Sequence, residues 1–244
     1  MRIYSSVLEA VKEIERDLFE MGVENKALTV QDLDVKNNSN YDSKELIGYG
    51  YVITKFDEFD LNDLFTFFFE DESEKEAIVS YCKQELSERL SGCALNPGMS
   101  WEYRRDYWER FLHEKKFSYT YSERISDQFL RVVQELMEAP ESRQCMITIY
   151  DKHLDLKNLR GAKRIPCSIS YQFLKRRVSG RYKLFMIYVM RSCDFYSHFP
   201  IDLWLAINMG KSIGDLVGCE LYSFTHFMGS LHSFRKDYEK RRIF

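Results

Sequence analysis

Apolar positions near the N-terminus recur at helical spacing. Val7, Val11, Ile14, Leu18 and Met21 fall on one stripe, which predicts an amphipathic helix over 5–21. Residues 34–43 are polar, with Asn-Asn-Ser-Asn inside them, and read as a loop. Over 45–55 the pattern alternates and is partly β-branched, as in a half-buried strand. A second helix is predicted over 74–90, stopped by Gly92 and the Asn96-Pro97-Gly98 turn, and a third over 127–137, ended by Ala139-Pro140. Strands are predicted over 144–150, 167–176 and 182–190, and a long apolar helix over 201–213 lies between the sheet and another layer. A last strand-like segment runs over 223–233. Helices and strands alternate unevenly, which predicts an α+β domain. With no internal repeat and no Pro/Gly-rich linker, residues 1–244 read as a single domain.

Composition narrows the function classes. A chain of 244 residues can bury one substantial core. Its 45% apolar and 30% charged residues fit a soluble globular enzyme, and a net charge of −3 argues against direct nucleic-acid binding through a basic face. No apolar run reaches the ~18 residues needed to cross a bilayer, and aromatic-rich Leu61–Phe69 is far too short. The N-terminus shows no basic region followed by an apolar one, so a cytoplasmic chain with reduced thiols is expected. None of the six cysteines (Cys82, Cys93, Cys145, Cys167, Cys193, Cys219) forms a CxxC pair, which excludes zinc ribbons and thioredoxin-like sites. Most are expected to be small buried hydrophobes. The basic cluster Arg235–Arg242 reads as a mobile, solvated tail, and acidic Asp71–Glu76 as a helix start that suits the helix dipole.

One neighbourhood carries chemistry. Pro166-Cys167-Ser168 heads an alternating run, and the next strand ends in Arg191-Ser192-Cys193-Asp194. A guanidinium and a hydroxyl form a good phosphate site, and a nearby cation is expected to lower the pKa of a thiol. Thus Cys167 is a candidate nucleophile held beside a phosphorylated substrate. The plainer alternatives are a structural buried cysteine and a surface charge at a strand end.

The order of these residues resembles the thymidylate synthase superfamily. Pro166-Cys167, Gln172-Phe173, Arg191-Ser192-Cys193-Asp194, Pro200-Ile201-Asp202 and His232 match PCH, QF, QRSxD, LGxPFNIA and the His of HxY at nearly the same spacings. Upstream, Glu85-Leu86 with Gly92 and Asn96 resembles ELLWFLxGxTN. Tyr121 falls at the VYG tyrosine, and Asp127-Gln128 with Pro140-Glu141-Ser142-Arg143 resembles DQ…NPxSRR. The resemblance spans residues 45–234. It implies a thymidylate synthase-like α+β fold, a mixed β-sheet packed with helices and a sheet-mediated homodimer. It also implies a pyrimidine nucleoside monophosphate as substrate and 5,10-methylenetetrahydrofolate as co-substrate. Cys167 would add to C6 of the ring and make C5 nucleophilic. Glu85 and Tyr121 would handle protons and water. Arg191 and Ser192 would hold the 5′-phosphate with Arg143 from the other subunit, and Asp194 and His232 would complete the substrate site. Trp101 and Asp194 would face the folate.

Departures from the family pattern point to a particular base. Asp202 stands where synthases place the Asn that reads uracil, and a carboxylate suits the N4 amino group of cytosine. The phage deoxycytidylate hydroxymethylases of this superfamily carry Asp there, and they share the Met190-Arg191-Ser192 and Gly229–His232 forms. Ser168 replaces the synthase His, Phe234 the Tyr of HxY, Gln144 the second inter-subunit Arg, His198 a Gly beside the folate pocket, and Glu88 a large apolar residue. The short stretch from His232 to Phe244 fits hydroxymethylation, in which water reaches the C5 methylene. The expected reaction is one-carbon transfer to C5 of dCMP or CMP, giving the 5-hydroxymethyl nucleotide. A divergent thymidylate synthase acting on dUMP and a non-catalytic nucleotide-binding member are the alternatives.

Overall fold

In the computed structural model, which describes residues 1–30, 33–56, 58–161 and 163–241, the chain opens with β1 (Arg2–Tyr4) and α1 (Val7–Met21). Ser6 starts α1, its Oγ accepting from the Glu9 amide at 3.1 Å. Val7, Val11, Ile14 and Leu18 of the predicted stripe are buried. Met21 is 54% exposed, because the chain leaves the helix at Gly22 and enters β2 (Val23–Lys26). Short β3 (Thr29–Val30) and β4 (Leu33–Asp34) pair with each other, and the long β5 (Asp42–Ile53) follows.

Three helical stretches then form the upper layer: α2 (Glu58–Phe68), α3 (Glu72–Leu90) and the single turn α4 (Arg105–Trp108). The α2 helix was not expected. Its aromatic run is too short for a membrane, yet Leu61, Leu64, Phe65 and Phe68 recur every three to four residues and are all buried. Next come α5 (Tyr121–Glu138), β6 (Met146–Thr148) and α6 (Lys152–Asp155). Helix α5 begins six residues before the predicted start at Asp127. Thr120 and Glu123 close a capping box there, with Thr120 Oγ1 accepting from the Glu123 amide at 3.1 Å and Glu123 Oε2 from the Thr120 amide at 2.9 Å.

The remaining elements are β7 (Ser168–Val178), β8 (Arg181–Asp194), α7 (Phe199–Leu216), β9 (Leu221–Phe234) and α8 (Arg235–Arg241). The sheet order is β1-β5-β9-β8-β7-β6, with β2 also on β5. Pairs β1–β5 and β8–β9 are parallel and the others antiparallel, so the sheet is mixed and the α+β expectation holds. Along β8 the face toward the helices buries Leu184, Met186, Tyr188 and Met190, while Phe185, Ile187 and Val189 on the other face stay partly exposed. Phe227 lies beside Val189 on that second face and is 39% exposed.

Four rings align across the buried face. Tyr171, Tyr188, His226 and Tyr51 occupy one register on β7, β8, β9 and β5. Tyr171 stacks on Tyr188 at 4.5 Å, Tyr188 on His226 at 4.7 Å, and Tyr51 Oη lies 2.9 Å from His226 Nδ1. Burial pushes His226 down to about 3, so its imidazole is neutral.

The basic C-terminal cluster is a helix rather than a solvated tail. Tyr238 is buried and meets the Phe19 ring edge-on at 6.1 Å, while Arg235 pairs with Asp42 at 3.1 Å. One apolar ring in a charged run is enough to dock it. Arg242, the last residue of that cluster, lies outside the described residues.

Candidate active site

A chamber of about 530 Å³ opens at the carboxyl ends of the parallel strands β8 and β9. In sheets containing parallel strands this is where ligands collect, because loops diverge there. Residues from β8, β9, α3, α5, α7 and the segment before β7 converge on it, among them Cys167, Arg191, Asp202, Tyr121 and His232. Although the chain is net negative, the lining carries six Arg or Lys side chains against four carboxylates.

Cys167 is half-buried just before β7, and Arg191 clamps it. Arg191 donates from Nε to the Pro166 carbonyl at 2.9 Å and from Nη2 to the Ile165 carbonyl at 3.0 Å, while Nη2 sits 3.9 Å from Cys167 Sγ. The backbone pairing is close as well: Arg191 N donates to Cys167 O at 2.8 Å. On the other side of Arg191, Gly229 lets β9 lie close to β8, since a Cβ there would lie 3.0 Å from the Arg191 carbonyl. Arg191 does lower the thiol pKa, as expected of a nearby cation, but it does not set the net shift. Burial raises it, and Arg191 and Arg164 only partly offset that effect. In the free protein the thiol is neutral.

Behind the thiol runs a chain of hydroxyls. Tyr121 Oη lies 3.0 Å from Ser168 Oγ, which lies 2.5 Å from Tyr188 Oη. Burial raises both phenols well above their ordinary range, so all three groups stay protonated. The Tyr121 ring also carries the Arg89 guanidinium, 3.9 Å above its centre.

Glu85 is only 12% exposed. One of its oxygens accepts from Arg89 Nε at 2.8 Å and the other lies 2.9 Å from Ser100 Oγ. The same hydroxyl lies 2.9 Å from Glu88, which also accepts from the Met99 and Ser100 amides at 2.6 and 2.8 Å. Glu88 thus replaces apolar packing with a polar anchor for the 99–100 turn. Gly98 is needed beside it: its φ is +73°, and a Cβ would fall 2.4 Å from the Glu88 carboxylate.

Asp202 lies in the first turn of α7. Burial pushes its carboxyl up to about 7, with Arg89 opposing and Glu85 reinforcing the shift. Ser192, Asp194 and His232 also line the chamber; Asp194 faces His232 across β8–β9 and accepts from the Ser197 amide at 3.4 Å. Burial lowers the His232 pKa, leaving it neutral. Three expected residues, Arg143, Trp101 and Glu85, stand outside the chamber lining. Arg143 is exposed and outside the chamber, where its carbonyl accepts from Gln172. Trp101 lines a smaller adjoining recess of about 50 Å³ with Glu85, Ser100 and Tyr121.

Sequence reading missed the other cations of the chamber: Arg89, Arg104, Arg110, Arg164 and Lys236. Arg89 was legible as the i+4 partner of Glu85. Lys236 was not, because its segment looked like a tail.

A mixed sheet, a clamped thiol, two helical carboxyls and a cation-rich chamber together make an α+β protein whose site suits an anionic ligand. The chain belongs to the thymidylate synthase family, whose model matches residues 92–243. A putative thymidylate synthase of Methanocaldococcus jannaschii is 26% identical over 121 residues, 49% of this chain and 53% of that protein. The chain therefore spans about half the length of the curated relative it matches. Among solved structures, thermostable thymidylate synthase A from Bacillus subtilis superposes with a TM-score of 0.67 at 13% identity, over 98% of this chain and 84% of that one. The thymidylate synthase of T4 phage gives 0.66 at 17% identity, over 95% and 78%. These likenesses show a shared fold.

Proposed function

We propose that the protein transfers a one-carbon unit from 5,10-methylenetetrahydrofolate to C5 of a cytidine monophosphate, giving the 5-hydroxymethyl nucleotide through a covalent bond between Cys167 and C6. The observation that carries this reading is Asp202, a half-buried carboxyl whose pKa is pushed up to about 7 in the same chamber as Cys167 and Arg191. A neutral carboxyl offers one donor and one acceptor, which match N3 and N4-H of cytosine. Ionised, it accepts from N4-H and from N3 once the ring is protonated, so cytosine suits both states.

In this reading Arg191 and Ser192 receive the 5′-phosphate, and Arg191 stabilises the thiolate as it forms. Addition at C6 makes C5 nucleophilic. The Glu85–Ser100–Glu88 carboxyl group moves protons at the recess, and the Tyr121–Ser168 hydroxyls orient water near C5. Flat walls at Tyr107 and Trp108, with guanidinium donors beside them, suit a planar co-substrate bearing anionic groups. Methylenetetrahydrofolate, when bound, supplies the one-carbon electrophile.

A second reading, a thymidylate synthase acting on dUMP, is favoured by the same raised carboxyl. While neutral it presents a donor and an acceptor, as an amide does. Incubation with dCMP, CMP or dUMP labelled with tritium at C5, plus methylenetetrahydrofolate, separates the two. Tritium release from a cytidylate, abolished in Cys167→Ala, is the expected result; release from dUMP alone would overturn the cytidylate reading.

We further place the active form as a homodimer in the cytoplasm. The partly exposed Phe185, Ile187, Val189 and Phe227 supply an apolar sheet face to bury, and Arg143 stands outside its own chamber, where it can serve a partner's.

A further inference from the structure

A nucleoside monophosphate with its base at Asp202 and its phosphate at Arg191 and Ser192 carries a sugar between them, which polar groups of the same chamber must meet. Asp194, His232 and Glu45 stand in one row across β8, β9 and β5, two residues along from the Ser192–Ser230 pair. All five line the chamber.

Glu45 is the odd member of that row. It sits inside the sheet, with Val23 of β2 on one side and His232 on the other, where strands disfavour glutamate. Among the described residues its carboxylate has no ion pair and no hydrogen bond. The cations close to it in sequence or space are engaged elsewhere: Lys44 donates to the Phe19 carbonyl, and Arg235 pairs with Asp42. Glu45 is nonetheless near enough to His232 to be felt, since burial lowers that imidazole's pKa and Asp194 and Glu45 both oppose the fall. A half-buried carboxylate that lines a cavity without a partner is an acceptor open to whatever enters.

The other polar groups of this corner have less to offer. His232 Nδ1 lies 3.5 Å from Ser230 Oγ, which leaves the neutral ring its Nε2 for a ligand. Ser43 Oγ donates to the Asn25 carbonyl at 3.5 Å. Phe234, whose ring meets His232 at 5.0 Å and Tyr41 at 5.5 Å, closes the floor with carbon. One imidazole nitrogen serves one sugar hydroxyl, whereas two carboxylate oxygens can accept from two adjacent ones.

We propose that Glu45 reads the sugar, accepting from vicinal 2′- and 3′-hydroxyls, so that the chamber takes ribonucleotides in preference to deoxyribonucleotides. The inference rests on the nucleotide reading and narrows its substrate from dCMP or CMP to CMP. An acidic side chain selects ribose in dinucleotide-binding folds by the same hydroxyl-to-carboxylate bond. A deoxyribose offers one hydroxyl, which His232 satisfies alone.

Calorimetric titration of the full chain with CMP, dCMP, UMP and dUMP tests this. On whichever base binds, the ribonucleotide is expected to bind about tenfold or more tightly than its deoxy counterpart, the scale of a hydrogen bond to a charged acceptor. Glu45→Ala is expected to bring that ratio below about threefold, mainly by weakening the ribonucleotide. Glu45→Gln keeps the side-chain shape but turns one acceptor into a donor. It is expected to do the same, and it decides the matter if the alanine variant fails to fold by circular dichroism. A merely structural carboxylate would weaken both sugars alike and leave the ratio in place. A wild-type ratio below about threefold, or one that survives both substitutions, would overturn the inference and leave the nucleotide reading standing. Binding of none of the four nucleotides would sink both.

Discussion

Asp202 is a residue whose environment makes it pH-sensitive in the working range. Its carboxyl is raised to about 7, so it changes from donor-and-acceptor to acceptor-only as pH climbs through neutrality. Uracil fits only the neutral form, because an ionised carboxylate repels O4. The ratio of kcat/KM for dCMP over dUMP is therefore expected to rise about tenfold or more between pH 6 and 8.5, and to be flat in Asp202→Asn. A wild-type ratio that does not move with pH rejects the role. The same shift has a stability sign. The folded chain keeps a proton on Asp202 that the unfolded chain releases near 3.8, so stability from this group falls as pH rises through about 7. Asp202→Asn should then stabilise at pH 8 by about 2–4 kcal/mol and change little at pH 4, read from denaturant midpoints. Cys167 gives a second check. Its raised pKa predicts slow alkylation by iodoacetamide at pH 7.5, with exposed Cys93 labelled first in a peptide map. At Glu88, replacement by Leu strands the Met99 and Ser100 amides, with an expected loss of about 2–4 kcal/mol.

At the scale of elements, the aligned rings on β7, β8, β9 and β5 tie acid sensitivity to sheet packing. Burial lowers His226 to about 3 and His198 to about 4, against 6.5 for the free group. Both are neutral when folded, so stability is present above about 6.5 and is lost as pH falls toward 4. The double variant Tyr51→Phe/His226→Phe removes the titrating ring without orphaning a hydroxyl. Its denaturant midpoint is expected to fall less between pH 7 and 5 than that of the wild type; an equal fall would move the acid sensitivity elsewhere. The long strands were legible by their alternation, α1 by its apolar period, α3 by its Gly92 and Asn96-Pro97-Gly98 stop, and α7 by its apolar length. The sequence hid α2, whose aromatics were judged by run length, and the first turns of α5, whose capping box looks like polar loop. Cys167, Arg191, Asp202 and His232 could be located from strand ends and motif order. The sign of the thiol shift could not, since burial is a property of the assembled chamber. Arg104, Arg110 and Arg164 converge on one wall only after the chain has folded, and no local pattern announces that.

For the whole molecule, the partly exposed face of the sheet carries the quaternary prediction. Val189 sits at its centre beside Phe227. A charge there, as in Val189→Lys, is expected to shift the species seen by light scattering from dimer to monomer while leaving the helical spectrum in place. A wild-type protein that is monomeric at micromolar concentration would reject the sheet-mediated pair. No helix of the described residues is long and apolar enough to cross a membrane.

Strand β9 holds the middle of the sheet, with β5 on one side and β8 on the other, although it is the last strand in the chain. During synthesis, residues up to 220 therefore present two half-sheets whose inner edges have no seam. The hydrogen-bonding rims of β5 and β8 stay open until residue 234 has emerged. Closure is thus a late, long-range event, and it sets a slow step that local helix formation cannot bypass. Nascent chains stalled before 221 should be the sticky ones, recruiting holdase chaperones and aggregating by edge-to-edge pairing, whereas release of β9 completes sheet and chamber together.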